Sequence, residues 1–336
     1  MKRNYTIDTL RTIAIMLVIL LHVSSKYVIS GMNNNNYDLS FWISNIVDSF
    51  SRICVPIFVL ISGMFLIGRN ENFAQSYKKR ASRILIPIIA WSIIYLVYRA
   101  TLSYVLYHTF DIMGLIKSVL LGKPFYHMWY LYMLIGLYLV TPILNNNISK
   151  ISRKNLWIVS ILLLVFGMFN SGYDMILNNK PIFILWFINY LGFFILGFLI
   201  KDYNNQISSK SLFIWYLISG ILISILTYYT AKYFKNLYFY GYLTPFVIIG
   251  SLSVFMLFQK IHFRKNILSR ISHLSLGIFL IHAGILEVFN LGLRELNIHV
   301  FEKPLLGIPI EFIVTFIIST IISYLFYKSR LLRKII

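Results

Sequence analysis

The chain has 336 residues, of which 58% are hydrophobic and only 12% charged, and its mean hydropathy is +0.74. A soluble fold carries roughly twice that charged fraction, so these figures exclude a pair of soluble domains. The formal net charge of +20, from 31 Lys and Arg against 11 Asp and Glu, is then the charge of a membrane protein, in which placement matters more than the sum.

An apolar stretch of about 20 residues crosses the hydrocarbon core as a helix. In chain order such stretches fall at residues 12–30, 41–67, 84–107, 126–144, 156–172, 182–200, 211–231, 237–258, 274–292 and 309–327. The sequence therefore predicts an all-α polytopic membrane protein of about ten transmembrane helices, organised as a single membrane-embedded domain over residues 1–336. The first stretch is too long and too polar at its midpoint for a cleaved signal peptide. The asparagine tract at 33–36 reads as an outer loop, and no internal repeat is visible.

Orientation follows from Lys and Arg, which cytoplasmic loops retain. With the N-terminus inside, inner segments hold 21 of the 31 basic residues, outer segments hold nine, and Arg52 lies within a span. Both termini are thus expected in the cytoplasm, with the chain in a cell membrane, the bacterial cytoplasmic membrane being the one expected. A single cysteine, Cys54, excludes an intrachain disulfide framework and a cysteine zinc site. No metal site is expected. Nucleic-acid binding is disfavoured, because the basic residues are spread over inner loops rather than gathered on one domain.

Ionisable residues within apolar spans are functional candidates by default. Spans five to eight hold none except lysines at their edges and read as scaffold. In the first span Arg11 and His22 are eleven residues apart, which brings them within about 20° of the same helical face and about 16 Å apart along the axis. Arg11 then sits at the cytoplasmic boundary and His22 near mid-depth, and Asp8, three residues before Arg11, can pair with it. An interfacial arginine and a histidine bonded to a neighbouring helix would produce the same pattern.

In the second span Asp48 and Arg52 are four apart and can form an intrahelical ion pair, followed by a kink at Pro56. That pair can be purely structural. His282 in the ninth span lies at similar depth, and Glu287 lies five residues further out, so His22, Arg52 and His282 point to a buried polar cavity. The fourth span opens on its outer side with His127, Trp129 and Tyr130 in an aromatic run. Such a run is a common interfacial belt, and it is equally what a sugar-binding outer vestibule needs. Lys78, Lys79, Arg80 and Arg83 are a topology signal that would also suit the phosphates of an anionic cytosolic donor.

With these residues in view the chain resembles the acyltransferase-3 family of integral membrane O-acyltransferases. Residues 7–14 with Asp8 and Arg11, leading after ten intervening residues to His22, are similar to its Arg-(ten residues)-His signature. Residues 55–63, including Ser62, resemble its second-helix motif. Residues 77–80 with Arg83 and Pro87 resemble the basic loop entering the third helix, 125–131 with Pro142 the fourth-helix block, and 275–282 the ninth. The matches follow the family's order over nearly the whole chain. No extracytoplasmic hydrolase-like domain of the kind some members carry follows the last span, so the membrane domain or a separate partner is expected to complete the transfer.

The resemblance implies transfer of an acyl group, commonly acetyl from cytosolic acetyl-CoA, to a hydroxyl of a cell-envelope or surface polysaccharide or its lipid-linked precursor. The acyl-CoA is a donor substrate, and no permanently bound cofactor is expected. The partners are that donor, a glycan acceptor and the bilayer. His22 and Arg11 take the catalytic roles, with Arg11, Lys78, Lys79, Arg80 and Arg83 on the donor phosphates and His127, Trp129 and Tyr130 on the acceptor. Asp8, Arg52, Ser62, His282 and Glu287 are supporting, Arg52 or His282 by stabilising an oxyanion. An acetyl-histidine intermediate at His22 stays open. The competing reading is an exporter or flippase for a polysaccharide or glycolipid, with a non-catalytic sensor behind it. Transporters commonly show inverted repeats, which this sequence lacks.

Overall fold

The computed structural model describes residues 3–69, 73–177, 183–298 and 303–336. Among them the regular structure is helical, in thirteen α-helices and short 3-10 turns with no strand. This is what a bilayer demands, because a helix satisfies its own backbone polar groups where no water can.

The central element is α1 (Tyr5–Asn33), begun by Asn4, whose side chain accepts from the Thr6 and Ile7 amides at 3.1 Å. The second predicted span is two helices, α2 (Leu39–Ser51) and α3 (Cys54–Leu66). Their break has a sequence cause. Pro56 has no amide to give the Arg52 carbonyl four residues back, and its ring clashes there, so the α-helical ladder resumes only with Ile57 N–H to Ile53 O at 3.0 Å.

The third span is α4 (Phe73–Tyr107). A nine-residue helix, α5 (Ile112–Leu120), lies between the third and fourth predicted spans, capped by Asp111, which accepts from Gly114 at 2.8 Å. Then follow α6 (Trp129–Asn147), α7 (Arg153–Ile176), α8 (Trp186–Lys201), α9 (Ser209–Phe234) and α10 (Pro245–Lys260). The chain ends with α11 (Ile267–Ile271), α12 (Ser275–Glu295) and α13 (Pro304–Lys328).

Nine helical segments among the described residues are long and apolar enough to cross a membrane. The tenth expected span is α8, whose 16 residues fall short. It compensates by position. Most of α8 is buried against α3 and α7, and the α3 crossing is so close that a Cβ on Gly63 would lie 1.7 Å from the Phe194 carbonyl oxygen. The large apolar side chains left exposed, such as Ile89, Ile93 and Val97 on α4 and Trp215, Ile218 and Ile221 on α9, face where lipid would be.

Contacts between helix termini mark one end of the bundle. Arg3 donates to the Ser269 carbonyl at 2.6 Å and Ser323 to the Leu274 carbonyl at 3.2 Å. The start of α1, the start of α12 and the end of α13 therefore share one end.

Candidate functional site

At that end lies a cavity of about 760 Å³. Its mouth carries Arg3, Arg11, Arg69, Arg83 and His273, and its walls are Phe58, Ser62 and Phe65 of α3, Tyr130 and Tyr138 of α6 and Phe279 of α12. Asp8 is the acid among the described lining residues. It meets Arg3 Nε at 2.7 Å and Arg11 Nη1 at 3.5 Å, so one carboxylate fixes two guanidinium groups without balancing the four. The Arg11 guanidinium also sits 5.7 Å from the Phe65 ring centre, and Ser62 Oγ donates to the Phe58 carbonyl at 2.8 Å. A planar, permanently charged donor fork repeated around an aromatic-walled pocket suits a phosphate-bearing ligand with an apolar arm. The side chains of Lys78, Lys79 and Arg80 lie outside the described residues, whereas Arg83 is on the rim.

His22 lies beyond the inner wall of this cavity. Its ring meets Tyr126 at 4.9 Å and stacks on His282 at 5.4 Å between centroids. His282 is 5.1 Å from His127, and Phe279 touches His127, His282 and Tyr130 at 5.2, 5.8 and 5.4 Å. Phe279 thus presents one side to the arginine cavity and the other to the imidazoles. His282 Nδ1 lies 2.6 Å from the Phe279 carbonyl. A carbonyl only accepts, so this hydrogen bond assigns the proton to Nδ1 and leaves Nε2 as an acceptor. Nε2 is buried without a hydrogen-bond partner among the described residues. Neutral His282 therefore offers His22 an acceptor. In this tautomer its one N–H is committed to the backbone. No group of three or more His, Cys, Asp or Glu side chains among the described residues is placed to hold a metal.

Arg52 sits at the α2–α3 break. Its Nε meets Asp48 Oδ1 at 2.6 Å, its Nη1 donates to the Tyr240 carbonyl at 3.2 Å, and its guanidinium lies 4.0 Å from the Tyr240 ring centre. The i,i+4 pair read from spacing is present, and its direct contacts go to the α9–α10 connection. Glu287 is partly buried on α12.

The three expected acceptor residues do not share one vestibule. His127 is 2% exposed, enclosed by Tyr95, Phe125, Phe279 and His282. Tyr130 lines the arginine cavity, and Trp129 lines a separate cavity at the opposite end. Consecutive helical residues point about 100° apart, so a run of aromatics on α6 cannot face a single space.

Sequence reasoning missed Glu311. It is wholly buried on α13, where it pairs with Lys26 and accepts from Tyr27 Oη at 3.2 Å, and Lys26 Nζ also donates to Asn290 Oδ1 at 2.7 Å. Lys26 lies one turn beyond His22, so this cluster ties α1, α12 and α13 together beside the imidazoles. The available signal was an acid inside the apolar run 308–314.

The cavity, the imidazoles and the helices define a multi-pass membrane protein with a cationic cavity reaching towards buried histidines. The family follows from comparison: residues 4–328 match the acyltransferase domain model of the acyltransferase-3 family. The chain belongs to that family. Two curated relatives are similar over shorter stretches, both named amino-acid racemase and both from Enterococcus faecalis. One is 26% identical over 170 residues, 50% of this chain and 22% of the relative. The other is 29% identical over 136 residues, 39% of this chain and 19% of the relative. The matched stretch thus covers about a fifth of each relative's length, and their name describes those whole proteins. No solved structure matches the chain.

Proposed function

We propose that this acyltransferase moves an acyl group, acetyl in the first instance, from a cytosolic acyl-CoA to a hydroxyl of a cell-envelope or surface glycan or its lipid-linked precursor. The observation that carries the reading is the arginine cavity on the same helix as His22. Arg11 lines that cavity, and His22 lies eleven residues, about 16 Å, further along α1. The excess of basic residues at the cavity end supports a cytoplasmic mouth in a bacterial cytoplasmic membrane. The wording of Ser51-Arg52 and of residues 123–127 also resembles that of the O-acetyltransferase of enterobacterial common antigen, which supports acetyl as the group and a glycan as the acceptor.

In this reading Arg3, Arg11, Arg69 and Arg83 hold the donor's phosphates, and its apolar arm runs between Phe58, Phe65 and Tyr130 towards Phe279. Neutral His22 takes the proton of the acceptor hydroxyl as its oxygen attacks the thioester carbonyl. The new C–O bond forms, the C–S bond breaks, and the same proton passes from His22 to the leaving thiolate. His282 stacks on His22 and packs its ring in place, and its unpaired Nε2 is the acceptor nearest at hand for orienting His22 during transfer. The test is release of free thiol from acetyl-CoA by the purified protein given the glycan. Wild type releases thiol in proportion to glycan and His22→Ala does not. Full release by that variant would remove His22 from the role.

A further inference from the structure

At the end of the bundle opposite the arginines, a second cavity of about 300 Å³ lies between the first turns of α6 and α8 and the last turn of α7. Its aromatic walls are Trp129, Trp186 and Tyr190, and its polar edge is Lys123, Asp174 and Asn189. Trp129 stands 6.1 Å from Trp186 and 6.0 Å from Tyr190 between ring centroids. Lys123 Nζ lies 5.0 Å from the Trp186 ring centre, a cation–π contact that holds this wall in place. Asn189 Oδ1 accepts from Asn170 at 3.3 Å, which leaves the Asn189 NH2 available to donate. Asp174 forms no ion pair with any described residue.

This composition selects among ligands. A purely apolar molecule would cover Asp174 and Asn189 without satisfying them, and an anion would meet the Asp174 carboxylate. A neutral pyranose has C–H faces for the aromatic walls and hydroxyls that can donate to Asp174 and accept from Asn189. Trp129 lines this cavity, and the next residue, Tyr130, lines the arginine cavity, so the two cavities lie on different faces of the first turn of α6. We infer that this cavity is a subsite for one ring of a neutral glycan acceptor, distinct from the ring that is acylated. The inference rests on the acyl-transfer reading and extends it to Lys123, Asp174, Trp186 and Asn189.

The test uses the full chain in detergent or nanodiscs. The probe is the oligosaccharide released from the cells' own O-acylated glycan and then de-O-acylated. Binding is followed by intrinsic tryptophan fluorescence, and transfer by labelled acetyl from acetyl-CoA. Trp186→Ala and Asp174→Asn should each raise the half-saturating oligosaccharide concentration by about tenfold, a loss of about one stacking or hydrogen-bonding contact. The half-saturating acetyl-CoA concentration should not change, and Trp186→Phe, which keeps a flat wall, should stay close to wild type. If Trp186→Ala loses acetyl-CoA binding it is misfolded, and Asp174→Asn and Trp186→Phe then decide. Unchanged oligosaccharide affinity in the variants, with His22→Ala inactive, would overturn the subsite and leave acyl transfer standing. Full transfer by His22→Ala would overturn both.

Discussion

His22 and His282 stack with 5.4 Å between their ring centroids and 28° between their planes, although 260 residues separate them in the chain. Because the His282 Nδ1 proton is held by the Phe279 carbonyl, the nitrogen left to act on His22 in the proposed reaction is the unpaired Nε2. Replacing it by Ala should lower kcat by about tenfold or more and leave KM for acetyl-CoA unchanged. His282→Gln, which can present an amide oxygen, should recover part of the loss. Steady-state kinetics with both substrates varied separates these outcomes. A rise in acetyl-CoA KM alone would place His282 on the donor instead.

Arg11 is the guanidinium that α1 contributes to the cavity, where it shares Asp8 with Arg3. Arg11→Ala should raise the dissociation constant for acetyl-CoA by about 10- to 100-fold, the worth of a hydrogen bond to a charged group. Arg11→Lys should recover less than half of this free energy, since an ammonium lacks the bidentate fork. Isothermal titration of the detergent-solubilised protein reads both. Added salt should weaken wild-type binding in the same direction.

How much of this was legible in the residues follows from the range over which each feature is encoded. Spacing along one helix placed Arg11 and His22 on a common face and paired Asp48 with Arg52, and Pro56 marked the α2–α3 break. The Lys26–Glu311 pair joins residues 285 apart, so no periodicity could reveal it. His127 carries the pattern of an interfacial belt. Its burial depends on how α4 and α12 pack over it, which no single segment encodes. The 16-residue α8 reads as a span by apolarity, yet its burial comes from glycine contacts with α3.

The Lys26–Glu311 cluster should matter for stability beside the catalytic helix. Lys26→Ala leaves the wholly buried Glu311 carboxylate without its cation and should cost about 3 kcal/mol, the lower end for a broken buried pair because Lys26 is partly exposed. The double variant Lys26→Met, Glu311→Leu should recover most of that. Thermal unfolding in a fixed detergent measures both, and equal losses in the single and double variants would contradict the pairing.

The α3–α8 crossing depends on two glycines. A Cβ on Gly197 would sit 2.0 Å from the Leu60 carbonyl oxygen, and one on Gly63 closer still to Phe194. Either Gly→Val substitution should prevent recovery of folded protein. Gly292 on α12 has nothing within 4 Å of such an atom, so Gly292→Ala should fold normally and gain up to about 1 kcal/mol of helix propensity. Fluorescence-detected size-exclusion profiles of the three variants give the comparison.

The central claim is that one helix joins a donor site at the arginine end to a transfer point near mid-depth. Its most direct measurement is acetyl transfer in sealed proteoliposomes with labelled acetyl-CoA confined to the side of the Arg11 cavity and glycan to the other. Label should reach the glycan with wild type and not with His22→Ala, while Arg11→Ala should require more donor for the same rate. Transfer by His22→Ala at the wild-type rate, or transfer that requires donor and acceptor on the same side, would contradict it.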